Sequence, residues 1–215
     1  MRLHFYFEMT FIDVGQGDGI YMETPEGTTV LIDGGSSDNK KLYEYTLEPF
    51  LLSKGRKKLD AVIVTHCDND HISGIRKIFT EDNIKVKTLY MPSTTMTDEV
   101  YTELIELAAE SGTDIKYIYE GYSMTEKDFY MYCLHPEYEY DTSERNDYST
   151  TLYIRYDNFS ALLTGDISGE IENNILQKYK DFPQVTILKA AHHGSRFSNT
   201  EDFIDEFAPQ NIVIS

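Results

Sequence analysis

One stretch of this sequence joins a buried strand to a dense group of polar side chains. Residues 59–65, LDAVIVT, form a short apolar run, and residues 66–71, HCDNDH, place two histidines and two aspartates directly behind it. A continuous apolar run of this length is typical of a strand that is buried on both faces, as in sheets covered by helices. The stretch therefore predicts an α/β fold with polar chemistry where a strand ends.

The rest of the chain alternates between strand and helix patterns. Helices are predicted at residues 40–53, 72–79, 98–110, 169–179 and 200–207, and strands at 3–14, 19–23, 28–33, 59–65, 87–91, 115–119, 129–135, 149–156, 160–164, 185–190 and 211–215. No internal repeat or Pro/Gly-rich linker interrupts the pattern, so residues 1–215 are predicted to form one domain. Two sheets packed face to face with helices outside would accommodate these elements, although periodicity does not select that arrangement over other α/β folds.

Composition disfavours several classes of protein. The net charge is −18, and the only strong basic cluster, KGRKKL at residues 54–59, is interpreted as a solvated loop, so nucleic acid is disfavoured as a partner. No apolar run approaches the roughly 18 residues of a membrane span. The N-terminus alternates like a strand and lacks the pattern of a signal peptide, so no membrane association and a cytoplasmic location are expected. Cys67 is expected to be a small filler residue and Cys133 a buried thiol, because two cysteines make no disulfide framework.

Three polar clusters share one context, because each directly follows an apolar strand. They consist of His66, Asp68, Asp70 and His71; of Asp166 in TGD; and of His192 and His193 in HHGS. Alone, each has a structural interpretation, as a helix cap, a turn, and a core pair or anion-binding helix entry. Together at strand ends they favour a metal site, because imidazole and carboxylate are the ligands of Zn, Mn and Fe.

The spacing within the clusters predicts a site for two ions. Alternation places His66 and Asp68 on one side of an extended turn, and Asp70 and His71 can face a second ion as the helix begins. Asp166 could bridge the ions, and a histidine of the third cluster could complete a coordination shell. Two ions about 3.5–4 Å apart would activate a bridging hydroxide for attack on an ester or phosphoester.

At these residues the sequence resembles a known family. THCDNDHISG resembles the HxDxDH variant of the metallo-β-lactamase signature. FIDVGQGDGI, VLIDGG, LLTGD and LKAAHHGS resemble segments of the metallohydrolase domain of ComEC/Rec2-type competence proteins and their free-standing relatives. The resemblance spans residues 11–195 in the family's order. It implies an αββα sandwich of two mixed β-sheets, a dinuclear site for zinc or manganese, and hydrolase activity.

The resemblance also implies a role for each matching residue. His66 and Asp68 would bind the first ion, and Asp70 and His71 would bind the second. Asp166 would bridge the two ions. His193 would be a further ligand and His192 would lie near the substrate, although these two histidines could exchange roles. Asp70 would also steer the hydroxide, and His192 and Asn146 would orient the reacting oxygen. Asp13 and Asp33 would shape the surroundings of the ligands. Gly15, Gly17 and Gly19 would let a loop approach the cleft. Tyr148 and Ser149 could join Asn146 in contacting substrate.

Two departures from the family pattern affect the expected metal content. Asp68 stands where many members have histidine, which favours manganese or iron without excluding zinc. Relatives usually continue past VIS to a glycine-histidine-proline segment whose histidine completes the second shell, whereas this chain stops at Ser215. We therefore expect a C-terminally incomplete domain with a weak second site, unless His135, water or a partner replaces that ligand.

The sequence thus predicts a metal-dependent hydrolase that acts on a phosphoester, as a phosphodiesterase or a nuclease-like enzyme. The expected partner is a small-molecule or phosphoester substrate, and the oligomeric state is not predicted. One alternative is a carboxylic ester or lactone hydrolase that uses the same site. Another is a metal-stabilised interaction module without catalysis.

Overall fold

A computed structural model describes residues 6–81, 83–180 and 182–215. These residues form two compact units, each built on one six-stranded mixed sheet. The N-terminal unit contains residues up to Met91 together with Thr97–Tyr117, and the C-terminal unit contains Pro92–Met96 together with Ile118–Ser215. The two mixed sheets with their helices confirm the predicted α/β fold class. The single domain over residues 1–215 stays a prediction.

The sheet of the N-terminal unit has the strand order β1-β2-β3-β4-β5-β6. Its strands are β1 Glu8–Phe11, β2 Ile20–Glu23, β3 Thr29–Ile32, β4 Lys58–Ile63, β5 Lys85–Pro92 and β6 Asp114–Ile118. β1, β2 and β3 pair antiparallel, whereas β3, β4 and β5 run parallel. Parallel strands end at the same edge of a sheet. The residues that follow β3 and β4 are therefore neighbours, although about 30 residues separate them in sequence.

Three helical segments cover this sheet. A π-helical turn at Tyr43–Leu47 continues into α1 Glu48–Ser53, and α2 Asn69–Glu81 and α3 Glu99–Glu110 follow. The Asp98 side chain caps α3, because it accepts a hydrogen bond from the Tyr101 amide at 2.9 Å. Tyr101, Leu104 and Ala108 form the fully buried stripe of α3.

The sheet of the C-terminal unit has the order β12-β11-β10-β9-β8-β7. Its strands are β7 Ser123–Glu126, β8 Phe129–His135, β9 Thr151–Tyr156, β10 Phe159–Leu163, β11 Ile187–Lys189 and β12 Asn211–Val213, and its helices are α4 Gly169–Lys178 and α5 Glu201–Phe207. β7 to β10 pair antiparallel, and β10, β11 and β12 run parallel. The turns that follow β10 and β11 therefore lie at one edge, and they carry Asp166 and His192–His193.

The predicted elements differ from the structure at several places, which include one unpredicted strand and the bounds of two others. β7 is not predicted, because four residues of alternating exposure at a sheet edge carry little apolar signal. The first strand is Glu8–Phe11 and not 3–14, with residues 3–5 outside the described part of the chain. β9 begins at Thr151, two residues later than predicted, because Asn146–Tyr148 forms a 3₁₀ turn.

No helix in the described residues is long and apolar enough to cross a membrane, since the longest, α2, has 13 residues. The cytoplasmic location stays a prediction.

Candidate metal centre

Two histidines lie side by side between the end of β4 and the first turn of α2. His66 and His71 are both fully buried, and their ring centroids are 4.1 Å apart. Each ring offers a nitrogen, and these two donor atoms lie within 4.8 Å of each other. Two imidazole nitrogens this close can bind one cation, so the pair suits metal binding.

Asp33, which follows β3, fixes the orientation of His71. Its Oδ2 lies 2.8 Å from His71 Nδ1, and its two oxygens accept the Thr65 amide at 2.9 Å and the Thr65 hydroxyl at 2.7 Å. With Nδ1 held by a carboxylate, a metal ion would approach the His71 ring through Nε2. This geometry matches the expectation that Asp33 shapes the surroundings of the ligands.

His66 shows directly that this cluster fits a metal ion. Its Nδ1 lies 3.2 Å from the Thr65 hydroxyl. Its Nε2 is buried and has no hydrogen-bond partner among the described residues, and an Asp68 carboxylate oxygen lies 3.7 Å away. A buried polar atom left without a partner costs about 1–3 kcal/mol, and an ion bound at Nε2 would remove that penalty.

Asp68, just before α2, and Asp70 are two further aspartates of the ligand set, and Asp18 is a nearby carboxylate that the sequence does not predict as part of the site. The Asp68 side chain is 38% exposed, and Asp70 lies in the first helical turn. Asp18, in the quoted GQGD segment, is 3% exposed and places Oδ2 3.8 Å from His71 Nδ1. Asp18, Asp33 and His71 each offer a donor atom within 4.8 Å of the others, so they are also a candidate cation group. The sequence signal that could have identified Asp18 is an aspartate directly after the glycines of the quoted GQGD segment.

Two glycines, one in the loop before β2 and one in the loop after β3, pack against the backbone at the start of α2. A Cβ atom on Gly17 would lie 2.4 Å from the Asp70 carbonyl oxygen, and a Cβ on Gly35 would lie 2.5 Å from backbone atoms of Asp70 and His71. Only glycine allows such an approach. Asp13 is exposed and accepts the Gly15 amide at 3.4 Å, so it shapes the loop and does not reach the histidines.

In the C-terminal unit, Asp166 and His193 face each other. Asp166 is 3% exposed, and its Oδ2 lies 3.4 Å from His193 Nε2. The Asp166 amide donates to the Ser149 hydroxyl at 3.2 Å. Ser149 and Tyr148 are fully buried, so the expectation that they contact substrate is wrong, and Ser149 instead supports the Asp166 backbone.

His192 and His193 point in different directions although they are adjacent. Both adopt positive φ, 49° and 52°, and their ring centroids are 6.2 Å apart. His192 Nδ1 lies 3.4 Å from Asn146 Nδ2, whereas His193 faces Asp166. The arrangement favours His193 over His192 as the partner of Asp166, while the metal-binding roles of both stay predictions.

His135, which the sequence offered as a replacement for the missing ligand of the second ion, has a structural role in the C-terminal unit. Its Nε2 lies 2.6 Å from the Asp147 carbonyl oxygen, and its ring packs edge-on against Tyr140 at 4.8 Å. Burial lowers the pKa of His135 to about 4, so the ring is neutral at pH 7. The structure therefore uses His135 to hold the segment around residue 147.

Replacing Asp33 with asparagine is expected to weaken metal binding about 10- to 100-fold, because His71 loses the carboxylate that orients its ring. Titration calorimetry of the metal-free protein with Mn²⁺ would measure the change. Asp60→Asn is the matched control, because Asp60 likewise accepts the amide and hydroxyl of one threonine, Thr29, at 3.0 and 2.9 Å. Equal affinities for both variants would contradict this role of Asp33.

Comparison with known proteins agrees with the resemblance seen in the sequence. Residues 12–107 match the model of the metallo-beta-lactamase superfamily. The chain is 34% identical to ComE operon protein 3 of Bacillus subtilis (strain 168) over 221 residues, which cover 97% of this chain and 28% of that protein. It is 24% identical to Recombination protein 2 of Haemophilus influenzae over 214 residues, which cover 97% of this chain and 24% of that protein. The chain thus spans about a quarter of the length of these curated relatives.

The fold is also found in a solved structure. The crystal structure of the metallo-beta-lactamase fold protein YhfI from Bacillus subtilis covers 96% of this chain with a TM-score of 0.59 and 15% sequence identity, and the match covers 84% of that protein. At this identity the match shows the fold alone. Fold and sequence together confirm the predicted relationship: this chain carries a metallo-β-lactamase domain that is related to the aligned segments of ComE operon protein 3 and Recombination protein 2.

Proposed function

We propose that this chain is a metal-dependent hydrolase of phosphoesters. The observation that carries the proposal is the buried His66 ring, whose Nε2 has no hydrogen-bond partner among the described residues, beside a His71 ring held by Asp33. Histidine and carboxylate donors in this combination suit Zn²⁺, Mn²⁺ or Fe²⁺. In this pair, Asp33 holds Nδ1 of His71 and leaves Nε2 for the metal ion. Metal-binding histidines usually have such a partner on the nitrogen that does not bind the metal.

The ligands in the proposal are those assigned by the family resemblance. They are His66 and Asp68 for one ion, Asp70 and His71 for the other, and Asp166 and His193 as the remaining contributors. Divalent ions, when bound, would activate water and stabilise negative charge on a phosphoryl oxygen. With Asp68 in place of a histidine, the proposal favours manganese or iron over zinc, and two ions per chain with the second more weakly held.

His192 and Asn146 are the proposed substrate-orienting groups. The Asn146 amide and the His192 ring are 3.4 Å apart, which leaves both within reach of one oxygen atom of a bound substrate. Asn146 opens a 3₁₀ turn whose next residue, Asp147, accepts the Ser168 hydroxyl at 2.8 Å. The turn is therefore held in place, and the Asn146 amide and the His192 ring could together donate hydrogen bonds to a phosphoryl oxygen.

The proposed substrate is a small phosphoester and not a long nucleic acid. In the basic cluster at residues 54–59, Lys54 pairs with Glu8 and Arg56 pairs with Glu23, so two of its four cations are neutralised within the protein. With a net charge of −18, little positive surface remains to follow a phosphate backbone. The name Recombination protein 2 connects one relative with recombination, so DNA belongs in the test.

The test is metal analysis followed by a substrate panel. Protein purified without a tag is expected to contain close to two ions per chain. With Mn²⁺ or Zn²⁺ it should hydrolyse a nitrophenyl phosphodiester faster than a phosphomonoester, a lactone or single-stranded DNA. A chelator should abolish turnover, and added metal should restore it. One bound ion per chain or none would favour the non-catalytic module, and turnover of the lactone alone would favour the carboxylic ester hydrolase.

A further inference from the structure

A buried lysine lies beside Asp166. Lys189, the last residue of β11, is 1% exposed, and its Nζ lies 3.6 Å from Asp166 Oδ1. The same ammonium donates to the Gly165 carbonyl at 3.3 Å. Lysine is almost never fully buried unless its charge is paired. The roles implied by the family resemblance do not include this residue, so its burial needs another explanation.

The pairing of the strands explains how Lys189 reaches the turn that carries Asp166. β10 and β11 run parallel, with Lys189 in register with Leu163, the last residue of β10. The Thr164 hydroxyl donates to the Lys189 carbonyl at 2.7 Å, which joins the two strand ends. The lysine side chain therefore starts level with the turn and contacts it through both Gly165 and Asp166.

The two carboxylate oxygens of Asp166 have different neighbours. Oδ1 lies on the side of the Lys189 ammonium, whereas Oδ2 lies 3.4 Å from His193 Nε2. An ammonium at ion-pair distance attracts this oxygen and so favours one rotation of the carboxylate about its terminal bond. The other oxygen is then presented in one direction, beside the histidine that is the proposed ligand.

We propose that Lys189 is a positioning residue that orients the Asp166 carboxylate, so that Oδ2 is the oxygen that binds a divalent ion. This inference rests on the proposed function. Stability alone is a weak reason for a lysine here, because well-packed apolar residues often replace a buried ion pair without loss.

The test measures metal affinity and not only activity. Lys189→Gln keeps an amide that can donate to Gly165 but removes the charge, and Lys189→Met removes both. Titration calorimetry with Mn²⁺ on metal-free protein is expected to show binding about 10- to 100-fold weaker for both variants. Lys178→Met is the matched control, because it removes a lysine of the same unit that pairs with Glu120 and Glu137 at the surface. It should bind Mn²⁺ like the wild type.

A second measurement separates positioning from a general structural role. In an Asp166→Asn background, Lys189→Gln should cause no further loss of Mn²⁺ affinity, because the carboxylate that it orients is gone. Wild-type affinity in folded Lys189→Gln would overturn the inference. Loss of the wild-type circular dichroism spectrum by both variants would also overturn it, because Lys189 would then support the fold as a whole. A wild-type protein that binds Mn²⁺ but hydrolyses no substrate would contradict only the proposed function.

Discussion

Replacing His66 with alanine is expected to lower phosphoester hydrolysis about 10³-fold and to reduce the bound metal from about two ions per chain to one. Metal ions contribute several kcal/mol of charge stabilisation in a transition state, and each 1.36 kcal/mol corresponds to a factor of ten in rate. Asp166→Asn, which keeps the size of the side chain, is expected to have an effect of similar size. Steady-state kinetics with the nitrophenyl phosphodiester and metal analysis by mass spectrometry would measure both.

Two control variants separate this effect from damage to the fold. Cys67→Ala changes the buried residue next to His66, and Asp128→Asn changes an exposed aspartate in the hairpin between β7 and β8. Both should keep wild-type turnover and metal content. If His66→Ala or Asp166→Asn hydrolysed the substrate as fast as these controls, the proposed mechanism would be wrong.

The sequence was sufficient to predict the strands that carry the site. β3, β4 and β10 appear as short apolar runs because their buried positions demand apolar side chains on both faces. Each run is followed by polar residues that stand out against it. For the same reason β7 was missed, since an edge strand with exposed alternate positions has no such run.

The contacts that orient the polar residues could not be predicted from spacing alone. Asp33 and His71 are 38 residues apart, and only the parallel pairing of β3 with β4 makes them neighbours. Asp166 and Lys189 meet for the same reason through β10 and β11. His192 and His193 separate because both take positive φ, a conformation that non-glycine residues rarely adopt and that no local sequence rule indicates here.

The close packing of Gly35 predicts the second large effect. Its amide donates to the Asp18 carbonyl at 3.0 Å, and the neighbouring Gly34 amide donates to the His71 carbonyl at 2.8 Å. A Cβ on Gly35 would lie 2.5 Å from backbone atoms of Asp70 and His71, which cannot rotate away as a side chain could. The start of α2 would have to shift, and His71 would move relative to Asp33.

Gly35→Ala is therefore expected to lower the free energy of unfolding by about 1–3 kcal/mol, the usual range for overpacking, and to weaken Mn²⁺ binding at least tenfold. Urea denaturation and titration calorimetry would measure the two changes.

Gly27→Ala is the control, because nothing lies within 4 Å of its Cβ, although its φ of 88° disfavours alanine. It should lose about 1 kcal/mol of stability from backbone strain and keep wild-type Mn²⁺ affinity. Wild-type Mn²⁺ affinity in Gly35→Ala would show that metal binding does not depend on the contact between this loop and α2.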